Sequence, residues 1–131
     1  MARTFLALVG FIYILLAVWC AFAPETTSQS VGFILKPGSG QSEFLTVYGG
    51  LELALGIVFL RPLFQKEVTH FSLYICVIVH GCLVMFRTLG FVLFSGFEST
   101  TYALAGGEWL IFLMSLTLYI ITKRSTKSSL E

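Results

Sequence analysis

Three ionisable residues lie inside apolar stretches of the chain and are its strongest candidates for a functional site: Glu52, Arg87 and Glu108. A charged side chain in the hydrocarbon core of a membrane costs several kcal/mol unless a partner or water compensates it. From their positions in the apolar stretches, we expect Glu52 and Arg87 to lie at the same depth, about 12 Å below one membrane surface, with Glu108 shallower. The sequence therefore predicts that Glu52 and Arg87 pair, and that Arg87 can also reach Glu108.

The charges of this trio do not balance, because two carboxylates face one guanidinium. We expect one carboxylate to hold a proton, or to meet a cationic ligand or water. Side chains lean toward the N-terminus of their own helix, so both carboxylates lean away from Arg87 and the pairing depends on the length of the arginine. The alternative interpretation is a buried salt bridge that only fixes the register of the helices.

Further polar groups share these helix faces. Tyr48 lies one turn before Glu52, and His80 lies two turns before Arg87. We therefore predict a ligand-binding set, against the alternative that the tyrosine and histidine only make hydrogen bonds between helices. The fourth apolar stretch continues the polar face with Ser115 and Tyr119. The predicted ligand-binding residues are Glu52, Arg87, Glu108, Tyr48 and His80.

No metal site, catalytic set or cofactor follows from these residues. Cys76 and His80 have a spacing found in metal sites, but two ligands without neighbouring carboxylates do not hold a metal ion well. The three cysteines show neither a disulfide framework nor a zinc motif. The cofactor stays unknown, and we do not expect an enzyme.

The composition indicates a membrane protein. Of 131 residues, 56% are hydrophobic and 11% are charged, whereas about a quarter of the residues in soluble domains are charged. The net charge of +1 provides no basic surface, so nucleic acid is not an expected partner. Four apolar runs predict an all-α, integral membrane four-helix bundle in a single transmembrane domain. The predicted spans are residues 4–23, 44–60, 71–94 and 103–122.

The first of these runs resembles a signal peptide, but it is longer than a usual signal core. We expect it to be retained as the first span.

The basic residues predict the orientation of the bundle, because lysine and arginine near the ends of spans favour the cytoplasm. Only Lys36 falls on the opposite side of a four-pass layout. Both termini are therefore predicted to be cytoplasmic, in a multi-pass protein of a cell membrane. The residues on the predicted cytoplasmic side are Arg3, Arg61, Lys66, Lys123, Arg124 and Lys127.

The two predicted outer segments are residues 24–43 and 95–102. The first contains an apolar stretch, residues 31–35, inside a polar loop. We expect this stretch to dip into the membrane interface, and the alternative is a lid over the bundle.

Small residues on the second span predict close packing of helices. Gly49, Gly50, Ala54 and Gly56 would let this helix approach a neighbour closely.

The glycine-flanked glutamate in residues 48–57 and the arginine in residues 86–90 resemble a family of small four-helix bacterial membrane proteins. That family is catalogued as a domain of unknown function and is similar to the DoxX-like superfamily. The resemblance implies a four-helix bundle in the bacterial inner membrane, and Glu52 matches a glutamate that recurs on the second helix of DoxX-like proteins. Members of the superfamily include subunits of membrane quinone oxidoreductases and factors that assist the assembly of other membrane proteins. This chain lacks a redox cysteine pair and a pair of haem-ligating histidines, so the redox activity is not expected to carry over.

Three hypotheses of function follow. The first is binding or transport of a small polar or anionic ligand, including an amphiphilic lipid, with Arg87 holding its head group. The second is an accessory or assembly subunit without a substrate, in a homo-oligomer or on a larger membrane protein. The third, ranked last, is a membrane enzyme that acts on a lipid or quinone with Glu52 or His80 as the proton donor.

Overall fold

The computed structural model describes residues 1–128, with side chains described through residue 124. All its regular elements are helical within that range, which confirms the all-α class. Six α-helices follow one another along the chain, and a π-helical segment, Leu45–Leu51, joins α3 to α4. The helices are α1 (Ala2–Phe22), α2 (Pro24–Ser30), α3 (Ser39–Phe44), α4 (Glu52–Leu60), α5 (Thr69–Leu93) and α6 (Ser99–Ser128).

Four of the helical stretches are long and apolar enough to cross a membrane: Ala2–Phe22, Ser39–Leu63, Lys66–Leu93 and Ser99–Arg124. They correspond to the four predicted spans, but the second, third and fourth begin several residues earlier than predicted. Lys127, one of the predicted cytoplasmic residues, has its side chain outside the described part of the chain.

Pro24 ends the first helix. A proline restricts the residue before it to extended conformations, and Ala23 accordingly leaves the helical region with φ −138°. Proline is also well suited to the first position of a helix, so Pro24 begins α2 immediately.

The predicted long loop of residues 24–43 is largely helical, which corrects the sequence-based expectation. Its first part forms α2, and its last part extends the second span back to Ser39, leaving residues 31–38 as the connection. Gly32 and Gly38 adopt positive φ values of 82° and 77°, conformations that other residues rarely adopt. Gly38 starts α3, where its backbone N–H donates to the side-chain oxygen of Gln41 at 3.0 Å.

The four long helices pack as two hairpins. The first joins α1 to the second span, and the second joins α5 to α6 through residues 94–98. The two hairpins touch each other mainly through α1, α4 and α5. The Ser72 hydroxyl donates to the carbonyl of Val58 at 3.1 Å and links α5 to α4.

Two glycines let α1 and α4 cross closely. A Cβ atom on Gly10 would lie 2.9 Å from the Gly56 carbonyl oxygen, and one on Gly56 would lie 2.7 Å from Ile14. Gly56 therefore provides the close approach that the small residues predict, and its partner is α1. Gly50 and Ala54 lie instead on the exposed surface.

The hydrophobic core lies in the half of the bundle that holds the N-terminus, here called the termini end. Arg3 closes this end, because its guanidinium donates to the carbonyl oxygens of Pro62 at 2.9 Å and Leu63 at 3.1 Å. The opposite end, the loop end, holds residues 31–38 and 94–98. The core residues are Phe5, Leu6, Val9, Tyr13, Phe59, Leu73 and Cys76.

Candidate functional site

Arg87 and Glu108 form a two-pronged ion pair between α5 and α6. Arg87 Nε donates to Glu108 Oε2 at 3.0 Å, and Arg87 Nη2 donates to Oε1 at 2.6 Å. The side chains are 31% and 13% exposed, respectively. Parallel hydrogen bonds of this kind hold both groups in one orientation and are stronger than bonds between neutral groups. The pair is the only salt bridge among the described residues.

The predicted pairing of Glu52 with Arg87 is wrong, because Arg87 pairs with Glu108 and makes no salt bridge to Glu52. The prediction of equal depth fails for a related reason. Helix α3 begins the second span at Ser39, so Glu52 lies near the middle of the Ser39–Leu63 stretch. Arg87 lies about two turns from the end of α5 at Leu93.

The packing of the hairpins explains the choice of partner. Helices α5 and α6 are joined by a short connection and pack along each other, whereas α4 packs chiefly on α1. Side chains lean toward the N-terminus of their helix, so in this antiparallel pair Arg87 leans toward the termini end and Glu108 toward the loop end. Glu108 lies deeper in the bundle than Arg87, not shallower as predicted, so the two side chains lean toward each other and not apart.

Glu52 is the carboxyl group with a buried oxygen that has no partner among the described residues. Its Oε2 atom is buried and makes no hydrogen bond to any described residue. The side chain lies one turn before Gly56, on the face of the second span that packs against α1. Its charge acts on three neighbours: Tyr13, Cys20 and Tyr48. A buried polar atom without a partner is costly, so Glu52 marks a place where a further group would be stabilised.

His80 is buried and fully hydrogen-bonded. Its Nδ1 atom lies 2.9 Å from the Cys76 carbonyl oxygen, which can only accept, so Nδ1 carries the proton. Nε2 is then the acceptor for the Tyr13 hydroxyl, 3.1 Å away. This hydrogen bond joins α1 to α5 and leaves the oxygen of Tyr13 able to accept another bond.

Tyr13 is the residue of this region that sequence reasoning missed. The Tyr13 hydroxyl lies within electrostatic range of both Glu52 and Glu108. The available signal was the spacing of Gly10, Tyr13, Ala17 and Cys20, which places them on one face of α1. A single tyrosine in an apolar run carries little information without a known partner such as His80.

Tyr48 belongs to an aromatic cluster at the loop end. Its ring stacks on Phe44 with 4.6 Å between centroids and lies 5.9 Å from the ring of Phe33. Phe33 comes from the apolar stretch for which the sequence left two interpretations, the membrane interface or a lid. The structure shows that this stretch rests on the start of the second span through Phe33, while Ile34 is almost fully exposed.

Tyr48 is also near charged residues of both hairpins. It lies within electrostatic range of both Glu52 and Arg87. Of the five predicted residues, Arg87 and Glu108 pair directly, whereas Tyr48, Glu52 and His80 make no hydrogen bond to that pair. We call Tyr13, Tyr48, Glu52, His80, Arg87 and Glu108 the polar site.

The polar face predicted for the fourth span divides into two regions. Ser115 is buried next to the Cys76 thiol, and its hydroxyl donates to the Phe112 carbonyl at 2.9 Å. Tyr119 lies toward the termini end, with its ring 4.6 Å from that of His70. Ser115 therefore packs beneath the polar site, and Tyr119 belongs to the core side of the bundle.

The chemistry available at the polar site is binding and proton exchange. In the described part of the chain, no three histidine, cysteine, aspartate or glutamate side chains come together as they would to hold a metal ion. Glu52 can hold a proton or a donor, while Arg87 is already engaged by Glu108.

A separate apolar groove lies on the surface between α1 and the second span. Its volume is about 330 Å³, and Gly49 and Gly50 of the second span contribute no side chain to fill it. The residues that line the groove are Ala17, Val18, Ala21, Phe22, Leu45, Gly49, Gly50 and Leu53.

Comparison with known proteins adds no further information on function. No protein-family model matches the chain, and no curated protein or solved structure matches it either. The resemblance to DoxX-like proteins accordingly stays a prediction from sequence.

Proposed function

We propose that the chain is a four-span protein of a bacterial cell membrane, with both termini in the cytoplasm, and that it binds a small polar ligand at the polar site. The bacterial source is inferred from the resemblance to small bacterial membrane proteins. The observation that carries this proposal is the buried Oε2 atom of Glu52, which has no partner among the described residues. A hydrogen-bond donor on a ligand would satisfy this atom, and the nearby Tyr13 hydroxyl can accept one more hydrogen bond.

The charges on the helices support the proposed orientation. The hydrogen bonds of Arg3 bring the start of α1 to the same end of the bundle as Arg61 and the neighbouring Lys66. Lys36 lies at the loop end. Basic residues collect on the cytoplasmic side of spans, so the termini end is the cytoplasmic one in this proposal.

Cysteine labelling in intact bacteria tests the orientation. In the full chain, we expect Lys36→Cys to react with a membrane-impermeant maleimide added outside the cells. Lys66→Cys should react only after the cells are permeabilised. The unsubstituted chain, with its natural cysteines, measures the background. The reverse pattern would overturn the orientation, and equal labelling of both sites in intact cells would contradict a membrane-spanning arrangement.

Ligand binding is tested with purified protein in detergent. Thermal unfolding is followed in the presence of small polar compounds grouped as cations, anions, zwitterions and neutral molecules. We expect at least one group to raise the Tm, because a ligand at a hundred times its Kd stabilises the folded state by about 2.7 kcal/mol. Glu52→Gln, which has nearly the same shape, should abolish the shift. Shifts that persist unchanged in Glu52→Gln, or an absence of shifts for all groups, would contradict binding at this site.

An accessory subunit is the second candidate, favoured by the exposed small residues of the second span. A side chain on Gly50 would meet no atom within 4 Å, and Ala54 is also exposed. Small residues on a lipid-facing surface let another helix pack closely. A partner that copurifies in fixed ratio and is lost in Gly50→Leu, but retained in Glu52→Gln, would favour this function over ligand binding.

A further inference from the structure

We propose that the ligand of the polar site is an organic cation, held by Glu52. This inference rests on the proposed function and specifies the chemical class of its ligand. It also replaces the sequence-based expectation of an anion held by Arg87.

The first step is the charge of the site. Both carboxylate oxygens of Glu108 accept hydrogen bonds from Arg87, so these two charges compensate each other within one hairpin. Glu52 then remains as a second carboxyl group with no basic partner among the described residues. An anion would meet an arginine that is already neutralised and a carboxylate that repels it, whereas a cation would complete the charge balance.

The second step distinguishes an organic cation from a metal ion. Metal cations such as Ca²⁺ and Mg²⁺ need about six oxygen ligands, and the described residues offer no group of three histidine, cysteine or acidic side chains. An organic ammonium or phosphonium ion needs only one carboxylate, because its charge is spread over a larger volume.

The third step is the aromatic surroundings of Glu52. Tyr48 lies one turn before it in a cluster with Phe44 and Phe33, and Tyr13 approaches it from α1. Aromatic rings attract cations through their electron-rich faces, most strongly where water is excluded. Clusters of aromatic rings recognise quaternary ammonium groups in this way.

The test uses two ions of nearly equal size and shape and opposite charge: tetraphenylphosphonium, a cation, and tetraphenylborate, an anion. Their binding to the purified full chain in dodecyl maltoside is measured by titration calorimetry, with protein-free micelles as the blank. We expect saturable binding of tetraphenylphosphonium and none of tetraphenylborate. Glu52→Gln should weaken cation binding by about tenfold or more, since it removes a charged partner.

Two further variants make the result interpretable. Glu43→Gln removes the same charge from an exposed position on the same span and should bind the cation as the wild type does. Glu52→Asp keeps the charge and should retain part of the affinity, even if Glu52→Gln folds poorly. Equal cation affinity in wild type and Glu52→Gln overturns the inference.

The remaining outcomes separate this inference from the proposed function. Specific binding of tetraphenylborate that is lost in Arg87→Gln would show an anion site, which sinks the cation proposal and leaves ligand binding standing. Binding of neither ion also overturns the cation proposal. The screen of polar compounds then decides whether the site binds any ligand at all.

Discussion

Replacing Glu108 with glutamine is expected to lower the free energy of unfolding by about 2 kcal/mol, in the range measured for hydrogen bonds to charged groups. The substitution keeps the size of the side chain but leaves the guanidinium of Arg87 without a counter-charge between α5 and α6. Removing one member of a partly buried ion pair lowers the free energy of unfolding by more than the intact pair adds to it. The measurement is unfolding in mixed micelles of dodecyl maltoside and dodecyl sulfate.

The double variant Arg87→Gln with Glu108→Gln distinguishes two effects on stability: the loss of the ion pair and the presence of one unpaired charge. Two neutral amides can hydrogen-bond to each other, so we expect the double variant to recover most of the loss. Glu98→Gln, at an exposed position in the α5–α6 connection, is the control for a lost negative charge and should unfold as the wild type does. A double variant less stable than either single variant would contradict this account.

A methyl group at the crossing of α1 and α4 is expected to destabilise the bundle by about 1–3 kcal/mol, the usual cost of overpacking. In Gly10→Ala the new Cβ atom would lie 2.9 Å from the carbonyl oxygen of Gly56. Backbone atoms cannot move aside as a side chain can, so α1 and α4 must separate. The same micellar unfolding measurement applies.

Gly106→Ala is the matched control, because this helical glycine has open space where a Cβ atom would be placed. Alanine favours the helix more than glycine does, so this variant should be as stable as the wild type or slightly more stable. Gly56→Ala should resemble Gly10→Ala, although Ile14 can relieve part of the contact. Equal stability of Gly10→Ala and Gly106→Ala would show that the crossing is not tightly packed.

The class of fold was predictable because it depends on composition over long windows. Four apolar runs separated by proline, glycine and charged residues define four helices, whatever their partners are. The helix boundaries were less predictable at residues 24–43, where polar residues form α2 and the start of the second span. Short helices of polar residues lack an apolar run, so hydropathy does not reveal them.

The ionisable residues inside the apolar helices could be identified from sequence, but the pairing of Arg87 could not. Ionisable residues in apolar runs are few, and Glu52, Arg87 and Glu108 were identified for that reason. The partner of Arg87 depends on which helices pack together, and nothing in the spacing says that α4 turns toward α1 while α6 turns toward α5. Tyr13 escaped notice for the same reason, since its role comes from His80 on another helix.

The location of the Arg87–Glu108 pair within a single hairpin has a consequence for biogenesis. In the proposed membrane arrangement, α5 and α6 enter the bilayer together, and their opposite charges can meet before any other part of the chain is needed. Glu108 thereby lowers the free-energy cost of inserting Arg87. Glu52, by contrast, lies in the other hairpin, where no described basic side chain pairs with it, so its compensating group must come from outside that hairpin.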